Sequence, residues 1–295
     1  MQLDYKVLFV DDEGFKVFMG ELKDSIESYL ADMGFILNAT EVNTKEGLEK
    51  QLSSDKDYDM IFVDNKFDDQ DCGIEFIKKI RAENIYADIV LCTARPDDEL
   101  IKKFNAETAH NGFYYFKKGT DLIQHTFNII DFRFSKELDI NVMRGIAMSE
   151  VANFDNRILE ILLKDTDSYK HGILSMIKEK TESRYNEVIN PEVQDDIWKN
   201  VINPDKSTMY FESSMRKDFL HNNVLNDIDS LKDCYKAIKS RYSVDILQKR
   251  NKLAHQISPK LSNDDIKQFR KDLITFRGIF DKVTKYFNDQ SQVKE

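Results

Sequence analysis

The chain has 295 residues, 41% of them hydrophobic, a length that favours two domains over one and a composition sufficient for packed cores. No apolar stretch approaches the roughly 20 residues of a membrane span, Met1-Gln-Leu-Asp-Tyr-Lys6 lacks the layout of a secretory signal, and three cysteines without metal-ligand spacing argue against a disulfide framework. The expectation is a soluble protein of a reducing cytoplasm. The net charge of −10 is unevenly placed: residues 1–128 carry −11 and residues 129–295 carry +1, with 13 basic against 5 acidic side chains in 236–285. That stretch suits a polyanionic partner, and equally a solvated helix face.

Along the first half, short apolar runs alternate with amphipathic stretches. Lys6-Val-Leu-Phe-Val10 precedes helical spacing through Val17, Leu22, Ile26 and Leu30, and Phe35 to Thr40 reads as a strand. Asp59-Met-Ile-Phe-Val63 precedes Ile74, Ile77 and Ile80; Ala87-Asp-Ile-Val-Leu91 precedes a helical stretch to about Asn105; Gly112-Phe-Tyr-Tyr-Phe116 precedes one through Leu122, Phe127 and Ile130. Five strands alternating with helices predict an α/β doubly wound parallel sheet over residues 1–128, with ligands at the carboxyl ends of its strands. Beyond Ile130 only helical periodicity remains: Val151, Phe154, Ile158 and Ile161; Leu225, Ile228, Leu231 and Tyr235; Leu273, Phe276, Phe280 and Val283. Asn190-Pro191, Asn203-Pro204 and Ser258-Pro259 punctuate these helices. Residues 129–295 therefore read as an all-α domain, joined to the first by a helix around 120–150 rather than by a flexible linker.

Four of the apolar runs end in chemistry: Val10-Asp11-Asp12-Glu13, Val63-Asp64, Cys92-Thr93-Ala94 and Tyr114-Tyr-Phe-Lys117. A carboxylate that accepts a phosphoryl group needs a divalent cation and two or three carboxylates to hold it. Asp11, Asp12 and Asp64 are the right types, and Thr93 and Lys117 suit the phosphoryl oxygens. These motifs, in this order, resemble the receiver domain of two-component response regulators over about residues 4–128. The resemblance implies that Asp64 is the phosphoacceptor, that Asp11, Asp12, Asp64 and the Lys66 backbone carbonyl bind Mg²⁺, and that Thr93 and Tyr114 rearrange on phosphorylation. It implies a histidine kinase or another phosphodonor as partner. The chain departs from the family after Asp64, where the usual Pro is missing and Gly73 falls one position late, and after Lys117, where Lys118 replaces the usual Pro. Which of the two lysines points inward stays open.

The second constellation is Arg250-Asn251-Lys-Leu-Ala-His255. Asn251 and His255, four apart, share a helix face, whereas Arg250 lies about 140° round from His255. Two copies facing each other across a two-fold axis would concentrate both pairs on one cleft. The run Arg-Asn-x-x-x-His in a helical domain resembles the HEPN superfamily, the likeness covering roughly residues 140–288 and resting on the hexapeptide. It implies a metal-independent endoribonuclease acting as a homodimer through the helical domain, with catalytic Arg250, Asn251 and His255, RNA as partner, and a role in stress, toxin-like or phage-defence systems. A His near neutral pKa can move the 2′-hydroxyl proton, and an Arg fork can stabilise the phosphate. The alternative is a non-enzymatic response regulator whose helical domain binds a protein or nucleic acid. His171, His221 and Trp198 fall in no recognisable pattern and read as surface or core residues. Nucleotide-binding glycine motifs, zinc motifs and serine-hydrolase elbows are absent from the sequence.

Overall fold

The alternating runs of the first half become a single five-stranded parallel sheet in the computed structural model. The structure describes residues 3–12, 18–68, 70–94, 98–107, 112–137, 140–185, 191–203, 211–255 and 261–292. Glu13, Val17, Asn190, Pro204, Ser258 and Pro259, singled out above, lie outside them. The chain divides into two compact units, Met1–Asp139 and Ile140–Glu295.

In the first unit the sheet strands are β1 (Asp4–Val10), β2 (Ile36–Val42), β3 (Met60–Asp64), β6 (Asp88–Thr93) and β7 (Phe113–Lys117), in the spatial order β2-β1-β3-β6-β7. Helices α1 (Phe18–Met33), α2 (Lys45–Ser54), α3 (Gly73–Ala82), α4 (Asp98–Glu107) and α5 (Thr120–Glu137) alternate with them. The three central strands are apolar on both sides because both sides are covered. Val7, Phe9, Met60, Phe62, Val90 and Cys92 pack with α1 and α5 through Leu22, Ile26, Ile130 and Phe134. Leu8, Val10, Ile61, Val63, Ile89 and Leu91 pack on the other face with Leu48, Leu52, Phe76, Ile77, Ile80 and Phe104. Each such buried side chain contributes about 1.5–3 kcal/mol of apolar transfer. Phe9 and Phe62 stack at 5.1 Å between ring centroids, and Phe35 and Phe134 at 3.9 Å. The Thr44 hydroxyl accepts a 3.0 Å bond from Gly47 N–H and caps α2.

Register aligns the carboxyl ends. Val10 pairs with both Val42 and Val63, Asp64 with Cys92, and Thr93 with Lys117. The strand order reverses at β1 and β3, so the crevice for a ligand opens beyond Val10 and Asp64.

Two features of this unit were not expected. A two-stranded antiparallel hairpin, β4 (Lys66–Phe67) and β5 (Gln70–Asp71), follows the acceptor strand, with Asp68 at φ 52° in its turn. Aspartate tolerates the left-handed region because its short side chain bonds locally. The late glycine is explained as well. A Cβ on Gly73 would lie 2.4 Å from Leu91 Cδ1 and 2.8 Å from Asn65 Cα, while Cys72 and Gly73 N–H both donate to Asn65 O. The hairpin adds chain before α3, and the close approach then falls where the glycine stands.

The second unit is helical: α6 (Ile140–Leu163), α7 (Thr166–Tyr185), α8 (Pro191–Val201), α9 (Ser213–Phe219), α10 (Lys232–Ala237), α11 (Lys249–His255) and α12 (Asn263–Gln292). A π-helical turn, Leu220–Leu225, extends α9, and a π-helical stretch, Ile238–Gln248, joins α10 to α11. The buried stripe of α6, through Val151, Phe154, Ile158 and Ile161, matches the sequence pattern, as does Leu273, Phe276, Phe280 and Val283 on α12. Phe154 stacks on Phe280 at 5.0 Å, Tyr242 meets Phe276 edge-on at 5.2 Å, and Arg277 Nη2 donates to Glu150 Oε1 at 2.7 Å. Pro191 opens α8, where its missing N–H costs nothing.

Two readings need correction. The Leu225 to Tyr235 spacing predicted one helix, but the chain breaks at Ile228, which is extended at φ −104°, ψ 96°. Asn226, Asp227 and Asp229 compete for backbone hydrogen bonds and favour turns there. The expected boundary at 128/129 falls inside α5, which belongs whole to the first unit, and the expected joining helix of 120–150 is two elements, α5 and α6.

Candidate functional site

At the carboxyl edge of the sheet β1 delivers Asp11 and Asp12, and β3 ends in Asp64. Asp11 and Asp64 are buried and Asp12 is half-buried. One carboxylate oxygen from each lies within 4.8 Å of the others. Oxygens around an octahedral ion with bonds of about 2.1 Å stand about 3.0–4.2 Å apart, so the donor set fits a small divalent cation such as Mg²⁺ after slight contraction.

The lysine at this edge is Lys118, not Lys117. Lys118 Nζ lies 2.6 Å from Asp64 Oδ2 and 3.5 Å from Asp11 Oδ2, whereas Lys117 is exposed. Lys117 ends β7 opposite Thr93, and Lys118 N–H donates to Thr93 O at 2.8 Å. Lys118 is thus the first residue past the sheet edge, where the chain turns over the carboxylates. Two adjacent lysines look alike in sequence, and only strand register separates them.

The neighbouring tyrosines of β7 are parted by face. Tyr114, expected to partner Thr93, pairs in register with Val90 and packs with the α1/α5 face, where its ring stacks near Phe116. Asp88 and Arg133 are its charged neighbours. Tyr115 points to the other face and meets Phe104 at 5.6 Å. Counting three residues back from Lys118 rather than Lys117 gives Tyr115. Thr93 itself is buried at the end of β6.

Electrostatics at the edge are unbalanced. Burial raises the Asp64 carboxyl above its ordinary value of 3.8, against the opposing pull of Lys118 and of Lys66 N–H, which donates to Asp64 Oδ1 at 3.3 Å. Burial works against the Lys118 ammonium too, but Asp64 and Asp11 together hold it above its ordinary range. Among the described residues three carboxylates gather beside one ammonium, and a divalent cation would offset the surplus. Asp12 meanwhile accepts from Asp68 N–H of the hairpin, and Asn65 Nδ2 donates to Asp71 Oδ1 at 3.0 Å, pinning the hairpin beside the acceptor.

In the helical unit, Arg250 and Asn251 line a groove of about 410 Å³ with Asp155 and Ser213, while His255, exposed at the end of α11, does not line it. Arg250 Nε has no hydrogen-bond partner among the described residues. Asp155 was missed by sequence reasoning. Burial raises its carboxyl above the ordinary value of 3.8, opposed by Ser213, Arg216 and Arg250. Its signal was available: Asp155 stands four residues after Val151 on the apolar stripe of α6, where an acid is out of place. Ser213 Oγ donates to Asp155 Oδ2, and Arg216 Nη1 donates to Asp155 O at 3.1 Å. His221 is buried with Nδ1 2.8 Å from Asp218 O, His171 is exposed, and Trp198 is in the core, as their lack of pattern implied.

The five-stranded fold, the strand order and the acidic triad define a receiver-like domain followed by a helical region. Comparison with protein-family models and with curated proteins finds no match for the chain. Among the described residues no helix is long and apolar enough to cross a membrane.

Proposed function

We propose that the chain is a phosphoryl-operated switch whose helical unit is the output. A histidine kinase or a small acyl phosphate donates to an Asp64 carboxylate oxygen; the new O–P bond forms as the donor's bond to phosphorus breaks, and the leaving group departs with that bond's electron pair. The observation that carries this reading is the convergence of Asp11, Asp12 and Asp64 within 4.8 Å beside Lys118. Asp11, Asp12, Asp64 and the Lys66 carbonyl are the residues to hold Mg²⁺, which when bound neutralises the phosphoryl oxygens. Lys118 pairs with one of those oxygens, and the Thr93 hydroxyl bonds another. Intact-mass measurement after incubation with an acyl phosphate and Mg²⁺ tests the reading: an adduct forms on the native chain and not on Asp64→Asn. An adduct on both, or on neither, refutes it.

For the output, we infer a HEPN-type, metal-independent endoribonuclease assembled by two copies of the helical unit, as the Arg-Asn-x-x-x-His resemblance implies. In support, Asn251 and His255 are exposed and Arg250 Nε is not consumed by an internal bond among the described residues. Within one chain Arg250 and His255 do not share the groove, so the reading requires the second copy to bring them together. Purified protein incubated with total RNA, with and without acyl phosphate, should cleave it, and His255→Ala should not. Intact RNA in every arm leaves the non-enzymatic output, a phosphorylation-dependent binder of protein or nucleic acid. A place in stress response or phage defence follows from the HEPN reading alone.

A further inference from the structure

The hairpin after Asp64 is tied to the acidic edge at both its base and its tip. Cys72 N–H donates to Asn65 O at 3.0 Å, and hydrogen-bonded pairs alternate along an antiparallel ladder, so Lys66, opposite Asp71, turns its own N–H away from β5. That edge faces the carboxylates: Lys66 N–H donates to Asp64 Oδ1 at 3.3 Å. Two residues on, Asp68 N–H donates to Asp12 Oδ2. Between these contacts Phe67 is fully buried and meets Phe76 edge-on at 5.1 Å, which fixes the body of the hairpin, whereas Lys66, Asp68, Gln70 and Asp71 are exposed. Asp68 stands at φ 52°, in the left-handed region that costs any residue with a Cβ. The bond to Asp12 therefore holds the tip in a conformation it would otherwise leave readily.

We infer that this hairpin is a latch on the cation site: Asp12 holds its tip shut while the carboxylates carry no cation, and gives it up when they take one. The inference rests on the reading of Asp11, Asp12 and Asp64 as Mg²⁺ ligands and adds the element that responds to the ion. Two effects act on the Asp12 to Asp68 bond. A hydrogen bond to a carboxylate owes roughly half its strength to the charge, and a carboxylate that ligates a divalent cation shares that charge with the ion. The three oxygens, now within 4.8 Å of one another, also draw together to ligand spacing, while the anchored Phe67 keeps Asp68 N–H in place, so the displacement falls on the bond between them. Both effects loosen the same contact. The bond from Cys72 to Asn65 at the base of the hairpin involves no carboxylate and stays as it is. Release is therefore confined to the tip, beside the acceptor Asp64.

Amide hydrogen–deuterium exchange of the full chain, with saturating MgCl₂ against NaCl of equal ionic strength, tests it. In the native chain Mg²⁺ should speed exchange of the Asp68 amide about fivefold or more and leave the Cys72 amide unchanged. Asp12→Asn keeps an oxygen acceptor but not its charge, so its Asp68 amide should exchange faster than the native one without Mg²⁺ and gain nothing further when Mg²⁺ is added. The Leu91 amide of the central strand β6 reports that this variant is folded. Unchanged or slower exchange at Asp68 in Mg²⁺, equal acceleration at Asp68 and Cys72, or an undiminished Mg²⁺ response in Asp12→Asn overturns the inference. The native chain decides by itself if the variant does not fold. A phosphoryl adduct on Asp64 with no change at Asp68 removes the latch and keeps the switch; a released tip without any adduct keeps the latch and removes the switch.

Discussion

Replacing Lys118 by Met removes the only cation placed against Asp64 and Asp11 among the described residues, at 2.6 and 3.5 Å. At an effective dielectric of about 20 the two attractions are about 6 and 5 kcal/mol gross, most of it offset by the water the ions gave up. Truncating one partner of a buried pair costs about 3–5 kcal/mol. The Lys118 side chain is 17% exposed, and the stranded carboxyl can take a proton, which reduces the expected loss to about 2 kcal/mol. For a unit the size of Met1–Asp139 that lowers the melting temperature by about 7 °C. Lys117→Met, at an exposed position, should cost under about 0.5 kcal/mol. The pH dependence has a definite sign. With Lys118 gone, the Asp64 pKa rises further above 3.8, and an acid whose folded pKa is raised contributes stability below its unfolded value and loses it as pH rises through the folded one. The deficit of Lys118→Met is therefore large at pH 7 and small near pH 4. Differential scanning calorimetry at both pH values reads it; equal losses in the two lysine variants, or a deficit that grows toward pH 4, would refute the assignment.

Mg²⁺ should raise the melting temperature of the native chain, by about 1.4 kcal/mol of linkage at ten times its dissociation constant, and leave Asp64→Asn unmoved; an equal shift in both places the ion elsewhere. Because burial raises the Asp64 carboxyl, Asp64→Asn should also stabilise the metal-free protein at pH 7, with the gain vanishing below pH 3.8, read from the same thermal scans. Gly73→Ala drives a Cβ into Leu91 and Asn65 and should cost about 1–3 kcal/mol while slowing phosphorylation of Asp64, seen as loss of intact-mass adduct at fixed time. His255→Ala should leave stability within about 0.5 kcal/mol because the ring is exposed, so that any lost RNA cleavage reports chemistry rather than folding.

The fold was legible because its signals are local. Runs such as Val7 to Val10 and Ile61 to Val63 are apolar on successive residues, which only a strand covered on both faces requires, and the stripes through Leu22, Ile26 and Leu30 supply the cover. Asp11, Asp12 and Asp64 were legible for the same reason, since each stands where an apolar strand ends. The hairpin after Asp64 was not, because two-residue strands carry no periodicity. The break at Ile228 was missed because its apolar spacing continues a helix that Asn226, Asp227 and Asp229 interrupt.

By itself the amino-acid order determined the layered α/β unit, the helical unit after it, and which acids gather at the sheet edge, since hydrophobic period and strand ends are properties of neighbours along the chain. Only tertiary structure set Lys118 rather than Lys117 against Asp64 and put Tyr114 and Tyr115 on opposite faces of the sheet, because a strand alternates its side chains and a shift of one residue exchanges the faces. It alone set Asp155 beside Arg250, for these two come from helices far apart in sequence whose packing no local pattern encodes.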